Sequence, residues 1–334
     1  MIRFRALDLE NDLQAVLRLS QEQFGAGAYQ ADRKYFDWLY TLNPAGRGVS
    51  DCLIAVHDDV PVGVIHRMIL AAERSGTPEI LISLQNHFMV PAARAGAGLM
   101  LLNRATKGAD VAFSPGVQGR LAEAYRRLGY REIPSFWLTR PLNPLTMARD
   151  LMLSRLRAPQ RFVVPLRALE RRHPGLELSA SPDDRMLMAL ASSMQSTTAP
   201  ARALRMVVSP KVLEWRYFCP SGPRHLLVHD PASGAMAVLA FGYRRGLKIV
   251  RLMEFQDAAD TGFAKSVLAV AKSAGASFAL AFTLESRIAD VLTGHGFRLR
   301  SNDTAAFASS DAEVAFGPAA TDVGFEAFKT DVTG

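Results

Sequence analysis

Apolar and polar positions change period along this chain, and each change marks an element. Ile2 to Ala6 reads as a first strand. From Asp8 to Phe24 the period is helical. Leu13, Val16, Leu17 and Leu19 form the apolar side, with Asp8 or Asn11 available as a cap. Gly25 to Ala28 reads as a loop, and Ala31 to Leu42 as a second helix with an aromatic face of Tyr35, Phe36, Trp38 and Tyr40. Cys52–His57 and Pro61–Ala71 predict a hairpin turning at Asp58-Asp59. An apolar strand follows from Ile80 to Val90. Pro91 ends it, because proline has no N–H to give to a ladder. Leu99, Met100, Leu101 and Leu102 carry a helix to about Ala105. Ala109–Phe113 then reads as a strand, Gln118–Leu128 as a helix, and Tyr130–Leu138 as a closing strand.

Between the strand at Ile80–Val90 and its helix lies a run of small residues with two glycines, Gly96 and Gly98. Such a turn lets backbone N–H groups point outward together, and a helix N-terminus adds partial positive charge. It suits a phosphate or pyrophosphate, to which Arg94 would add a charge-assisted hydrogen bond. The same residues also serve a plain tight turn that packs helix on strand.

The element order recurs. Phe36-Asp-Trp-Leu-Tyr40 returns as Leu213-Glu-Trp-Arg-Tyr217, apolar–acid–Trp–x–Tyr in both. Around the second copy come a strand at Leu176–Ser179, helices at Asp183–Met194 and Pro210–Phe218, hairpin strands at 224–229 and Gly234–Phe241, and a strand at Leu247–Phe255. A helix at Ile288–Gly294 then runs into Gly296-Phe297-Arg298, echoing Gly129-Tyr130-Arg131. Duplication is the better reading. The copies differ at the turn: Gln256-Asp-Ala-Ala-Asp-Thr-Gly262 has two carboxylates, one glycine and no arginine, so a pyrophosphate there would meet like charge. The second half is expected to keep the fold without the phosphate site.

Between Arg140 and Arg172 eight arginines stand against two acids, Asp150 and Glu170, with Leu142, Leu145, Met147, Leu151 and Leu153 beside them. This reads as a linker helix with snorkelling arginines, or as a basic surface helix able to touch anionic lipid. A length of 334 residues, 49% hydrophobic and 21% charged, predicts a two-domain globular protein without a transmembrane segment or signal peptide. The formal charge of +7 allows an anionic ligand, nucleic acid or membrane surface without choosing among them. The two cysteines, Cys52 and Cys219, predict buried thiols and a cytoplasmic setting, with no disulfide scaffold or zinc site.

The strand, the run Pro91-Ala-Ala-Arg94-Ala-Gly96-Ala-Gly98, its helix, and the later Ala122-Glu-Ala-Tyr125-Arg-Arg-Leu-Gly129-Tyr130 resemble the GNAT superfamily of acyl-CoA-dependent acyltransferases. The resemblance covers about residues 1–141. Tyr125 with Gly129-Tyr130 matches the family's Tyr-x-x-x-Gly-(Phe/Tyr) ending. In the family's strict register Ala93, not Arg94, occupies the Arg/Gln position of the turn. The whole chain is similar to tandem GNAT-like proteins of bacteria, with a catalytic-type half and a degenerate half. The implied fold is α/β (α+β): two tandem domains, each a mixed, mostly antiparallel sheet flanked by helices. Their expected bounds are 1–141 and 176–334, with an Arg-rich helical linker over 142–175.

The resemblance implies an acetyl-CoA or other acyl-CoA co-substrate, no metal, and a small-molecule amine acceptor such as an amino sugar or amino acid-like compound. DNA is not expected as a partner. It implies backbone contacts to the pantetheine arm from Phe88, Met89 and Val90, and to the pyrophosphate from Arg94, Ala95, Gly96, Ala97 and Gly98. Gln118 stands where many members have an Asn that holds the cofactor. Tyr125 would protonate the leaving thiolate. His87 has the unperturbed pKa of a general base, with His66 a weaker second. The acceptor side would be built by Tyr29, Tyr35, Trp38 and Tyr40, although the same rings suit helix packing. Two other readings fit the pattern: a Fem-like aminoacyltransferase using aminoacyl-tRNA, and a non-catalytic GNAT-fold ligand-binding protein.

Overall fold

The computed structural model describes residues 1–25, 29–93, 96–154, 162–195, 204–219, 225–244, 246–256, 261–300, 304–309, 314–315 and 330–333. The chain opens with β1 (Ile2–Ala6), α1 (Leu13–Phe24), α2 (Arg33–Phe36), β2 (Cys52–His57), β3 (Val60–Arg74) and β4 (Thr77–Met89). It continues through α3 (Ala97–Ala105), β5 (Val111–Gln118), α4 (Arg120–Arg127), β6 (Arg131–Ile133) and β7 (Phe136–Pro141). Next come α5 (Pro144–Ser154), β8 (Phe162–Pro165), α6 (Leu166–Arg172), β9 (Glu177–Ser179), α7 (Asp184–Gln195), β10 (Leu204–Met206) and α8 (Pro210–Leu213). The last part holds β11 (His225–His229), β12 (Met236–Arg244), β13 (Leu247–Gln256), α9 (Thr261–Ser273), β14 (Phe278–Thr283), α10 (Ser286–Gly294), β15 (Arg298–Leu299), β16 (Thr304–Ala308), β17 (Val314–Ala315) and β18 (Thr330–Thr333).

The hairpin turns follow from local chemistry. Asp58 and Asp59 have φ of 50° and 63°, and Ser75 and Gly76 have 52° and 79°. Two successive left-handed residues match the right-handed twist of the flanking strands. The first helix starts later than its periodicity suggests. Asp8 accepts from the backbone N–H groups of Glu10 and Asn11, so a local turn precedes α1.

Two units emerge, and neither is a continuous stretch of chain. The first comprises Met1–Pro134, Ala199–Val207 and Asp303–Ala315; the second comprises Ser135–Thr198, Val208–Asn302 and Phe316–Gly334. The first sheet runs β1-β2-β3-β4-β5-β16-β6, with β10 joined to β3 and β17 to β10. The second runs β9-β11-β12-β13-β14-β7-β15. In each main path one pair is parallel, β4 with β5 and β13 with β14, and the others are antiparallel. The two orders are the same, with β16 and β7 in equivalent slots.

That equivalence corrects the expected bounds of 1–141 and 176–334. Pro134 cannot extend β6 as a ladder donor. The strand that follows it, β7, pairs with β14 and β15 of the second sheet. Its slot between β5 and β6 is filled from the far end of the chain by β16. The stretch 142–175 is also more than a helical linker: β8 lies within it and pairs in parallel with β18, inside the second unit.

The repeated tryptophan motif has one conformation in both halves. α2 and α8 are each a single α-turn that widens into a π-turn, over Asp37–Thr41 and Glu214–Phe218. π-turns are rare, so finding one on each copy of apolar–acid–Trp–x–Tyr supports duplication more strongly than the sequence match. Each unit has its own core. In the first, Ile65, Ile82, Leu101, Leu102, Tyr125 and Phe307 are buried together; in the second, Leu138, Phe241, Val267, Leu292 and Phe297 are.

Candidate active site

The first unit's sheet opens along one line. β4 and β5 pair at Leu81↔Val111, Ile82↔Ala112 and Ser83↔Phe113, and the pairing stops there. Both strands continue, β4 to Met89 and β5 to Gln118. β4 stays on β3, and β5 is held on its other side by β16. The facing edges of β4 and β5 past Ser83 and Phe113 are therefore unpaired with each other. An opening of this kind between two strands has the shape in which an extended ligand can lie as an added strand.

Two irregularities shape the gap. On β4, Asn86 takes a left-handed φ of 49°, and the β3–β4 register shifts beside it. This is a bulge, which re-aims the strand end. Asparagine tolerates the conformation, and its amide is fixed at both ends: Gln30 Nε2 donates to Asn86 Oδ1 at 3.0 Å, and Asn86 Nδ2 donates to the Tyr35 hydroxyl at 3.1 Å. On β5, Pro115 and Gly116 (φ 70°) fall where the β5–β16 register shifts, the place where a strand accepts proline.

At the mouth of the gap is a chain of hydroxyls. Tyr125, on α4, donates to Ser114 Oγ at 3.0 Å, and Ser114 lies 3.5 Å from the carbonyl of Leu84. Ser114 and Leu84 are the first residues past the last β4–β5 pair. Tyr125 is fully buried, stacked on Phe307 at 5.3 Å and edge-on to Tyr130 at 4.8 Å. Burial raises its pKa, so the phenol keeps its proton throughout the neutral range. Ser114 carries no signal in the sequence; only the end of the strand pairing gives it meaning.

Beyond β4 the chain makes a tight turn at Pro91–Ala93 and enters α3 through Gly96. Gly96 has φ 78°, with open space where a Cβ would stand. Gly96 at its N-cap has no side chain to cap α3, and the first-turn N–H groups of such a helix have no acceptor within it. Gly98 rests on Met89 and His87: a Cβ there would sit 3.4 Å from Met89 Cγ and 3.7 Å from His87 Nε2. Ala93 is partly buried against the core. Arg94 and Ala95 lie outside the described residues, as do the side chains of Tyr29 and Gln118. The backbone of Gln118 ends β5 and pairs with Thr304, so it is a strand residue where a helix start was expected.

His87 does not have the environment of a neutral-pH base. Both ring nitrogens are buried and make no well-formed hydrogen bond, although the ring lies close to the backbone of Gly98. Burial pushes its pKa down to about 4. A base that weak is poorly matched to proton removal near pH 7. His66 is fully buried and pushed to about 3, with Nδ1 2.6 Å from the Tyr40 hydroxyl. Tyr35, Trp38 and Tyr40, expected on the acceptor side, are core residues exposed by 2% or less. They pack around His66 and Phe36 instead of lining a cleft. Phe88, near the end of β4, is set edge-on to Phe24 at 5.2 Å, and Phe24 is 41% exposed. Phe88 and Met89 end β4, and the next residue, Val90, gives its N–H to the Val62 carbonyl.

Among the described residues no group of three or more His, Cys, Asp or Glu could hold a metal ion, and no helix is long and apolar enough to cross a membrane. Cys52 and Cys219 are free thiols; burial pushes Cys52 up to about 12.

This architecture is the GNAT fold, present twice. No family model matches the chain, and no curated protein matches it in sequence. Solved structures do match. A GCN5-related N-acetyltransferase from Anabaena variabilis superposes with a TM-score of 0.57 at 10% identity, over 92% of this chain and 72% of that one. Its counterpart from Kribbella flavida gives 0.52 at 16%, over 92% and 70%. Saccharomyces cerevisiae N-myristoyltransferase with bound myristoyl-CoA gives 0.56 at 14%, over 92% and 82%. At these identities the likeness is one of fold.

Proposed function

We propose that the chain is an acyl-CoA-dependent N-acyltransferase whose first unit holds the acyl-CoA. The observation that carries this is the β4–β5 gap with the Tyr125–Ser114 hydroxyl chain at its mouth. In this reading the pantetheine arm lies between β4 and β5 past Ser83 and Phe113, with Phe88, Met89 and Val90 on one side. The pyrophosphate rests on the N–H groups that open α3, from Arg94 through Ala95, Gly96 and Ala97 to Gly98. The proteins with the same fold include GCN5-related N-acetyltransferases and an N-myristoyltransferase with myristoyl-CoA bound, so donors from acetyl to long-chain belong in the test.

The chemistry asks little of the protein. An amine nitrogen attacks the thioester carbonyl, the tetrahedral adduct collapses, and the C–S bond breaks. Tyr125 gives its proton to the departing thiolate, and the proton lost by the amine returns to the phenol through solvent. His87, neutral at pH 7, supports α3 in this scheme and does not act as base. The acceptor is a small amine. Two free thiols without a disulfide suit a cytoplasmic protein.

The test is thiol release from acetyl-, octanoyl- and myristoyl-CoA with a panel of amino sugars, amino acids and polyamines. Release that depends on the amine supports the reading. If CoA binds and no amine is acylated, the full burial of Tyr125 favours a non-catalytic ligand-binding protein instead.

A further inference from the structure

The second unit contains a cavity of about 440 Å³, within the usual range of small-molecule sites, roughly 300–1,000 Å³. It is built from separate elements. Arg140 comes from the end of β7, Lys265 and Lys272 from one face of α9, and His295 from the end of α10, with Leu142 and Leu268 as apolar lining. Lys265, Leu268 and Lys272 have the i, i+3, i+7 spacing that turns side chains the same way.

Arg140 is fixed in place. Its guanidinium donates to the His295 carbonyl, one of the acceptors that the end of α10 leaves free. Gly296 follows in a left-handed φ of 79°, and a Cβ there would lie 3.6 Å from the guanidinium carbon. No carboxylate lines the cavity, and Arg140, Lys265 and Lys272 make no ion pair among the described residues. Three like charges around one concavity repel one another and favour an anion. Leu142 and Leu268 add an apolar wall, which suits a charged group attached to a nonpolar one.

We propose that this cavity is a binding site for a phosphate group. The charge set matches a phosphate dianion, with the planar Arg140 fork and two mobile ammonium groups as donors. The site uses the length of α9 from Lys265 to Lys272 and owes nothing to the acyltransferase reading of the first unit. The phosphate has two plausible sources, a free phosphorylated compound or a lipid headgroup. The second is raised by α5, which starts four residues after Arg140 and leaves Leu145 84% and Met152 66% exposed.

The experiment uses the full chain and a double variant, Lys265→Ser with Lys272→Ser. Both lysines are exposed, so the fold should persist, which circular dichroism and melting check. A control removes two exposed lysines elsewhere, Lys34→Ser with Lys211→Ser. The probes are inorganic phosphate by calorimetry, and sedimentation with phosphatidylcholine vesicles with or without one part in five of phosphatidic acid. Wild type should bind phosphate or the phosphatidic acid vesicles at low ionic strength and release them in salt. The double variant should bind on the order of tenfold more weakly or worse, and the control should match wild type. Binding of phosphate alone identifies a free ligand; binding of the acidic vesicles identifies a headgroup. No binding of either probe by wild type, or equal weakening in the control, overturns the proposal.

Discussion

The two units share one scaffold and differ at the point where it opens. In the first, the parallel pair ends at Ser83↔Phe113, and the next β5 residue is Ser114, bonded to Tyr125. In the second, the parallel pair ends at Leu252↔Ala281, and the next β14 residue is Phe282, packed edge-on to Trp137 at 4.6 Å. Where α4 presents Tyr125 before Gly129-Tyr130, α10 presents the buried Leu292 before Gly296-Phe297. Polar groups have moved elsewhere in the second unit. Arg216 donates through Nε to the Tyr217 hydroxyl at 3.2 Å, and that hydroxyl donates to Glu254. Tyr40, the counterpart of Tyr217, meets the neutral ring of His66 instead. One strand order therefore carries different side chains where its parallel pair ends, Ser114 and Tyr125 in the first unit, Phe282 and Leu292 in the second.

The sharpest way to break this comparison is Tyr125→Phe. The ring and its stacking on Phe307 remain, and only the proton donor is lost. General acid assistance is typically worth about 10²–10⁴-fold, so kcat for amine acylation should fall by that range with CoA affinity nearly unchanged. A purely structural phenol would cost about 0.5–1.5 kcal/mol of stability through its lost hydrogen bond and leave kcat alone. Steady-state kinetics beside a urea melt distinguish the two. A wild-type kcat would make Tyr125 the equivalent of Leu292.

Next in size is the turn. Gly96→Asp brings into the first unit the kind of charge that the second carries between Gln256 and Gly262. An aspartate beside α3 suits the helix dipole and is tolerated in the left-handed region, so the fold should survive. The carboxylate would oppose a pyrophosphate, and CoA affinity by calorimetry should drop on the order of 100-fold. Gly262→Asp in the second unit should leave it unchanged. Equal losses in both variants would mean that CoA binding has been assigned to the wrong unit.

Much of this was legible in the chain. Hairpin turns, the β4-to-α3 turn and the duplication follow from local chemistry and periodicity, because the residues that decide them are neighbours in sequence. What could not be read depends on partners far away. Ser114-Pro115-Gly116 looks like the end of a strand, yet β5 runs on to Gln118 because β16, arriving nearly two hundred residues later, holds its outer edge. The exchange of β7 for β16 has no local signature, since either strand fits either slot by pattern. By pattern Tyr35, Trp38 and Tyr40 suit an acceptor site as well as a core, because the aromatic stripe of a helix looks the same whether it faces a ligand or the core. Burial decides that question, and here it decides for packing.

The buried pairs offer a third test. Glu254→Leu would leave Arg216, which is fully buried, without the carboxylate at the end of its chain. Removing one partner of a buried charged network typically costs about 3–5 kcal/mol. His66→Leu removes one partner of the neutral Tyr40 hydroxyl and leaves the Cys52 thiol beside it, a cost of at most about 1–3 kcal/mol. Urea unfolding of the whole chain should therefore rank Glu254→Leu as the more damaging. The reverse ranking would mean that the second unit's network contributes less than its burial suggests.

The smallest effect concerns pH and belongs to the first unit. His66 and His87 are held neutral by burial, at about 3 and about 4, against roughly 6.5 in an unfolded chain. Between pH 6.5 and about 4 the unfolded state binds these two protons and the folded state does not, so stability rises with pH across that window. The contribution is complete above 6.5 and is lost as pH falls, at about 1.4 kcal/mol per pH unit for each imidazole. Other groups mostly act elsewhere or oppositely. Asp12, lowered by its hydrogen bond to Arg5, loses its contribution only below the ordinary carboxylate range. Asp51, raised by burial, favours the folded state toward acid and offsets part of the slope. In the second unit His173 is lowered by burial in the same direction and adds to the slope. Replacing both first-unit imidazoles, as His66→Gln with His87→Gln, keeps a hydrogen-bonding side chain at each position and removes both titrations. Unfolding free energies of the full chain at pH 6.5, 5.5 and 4.5 should then change less steeply in the variant, by about two protons' worth. An unchanged slope would mean that these rings take up protons without unfolding, through an opening of the β4 bulge that lets water reach them.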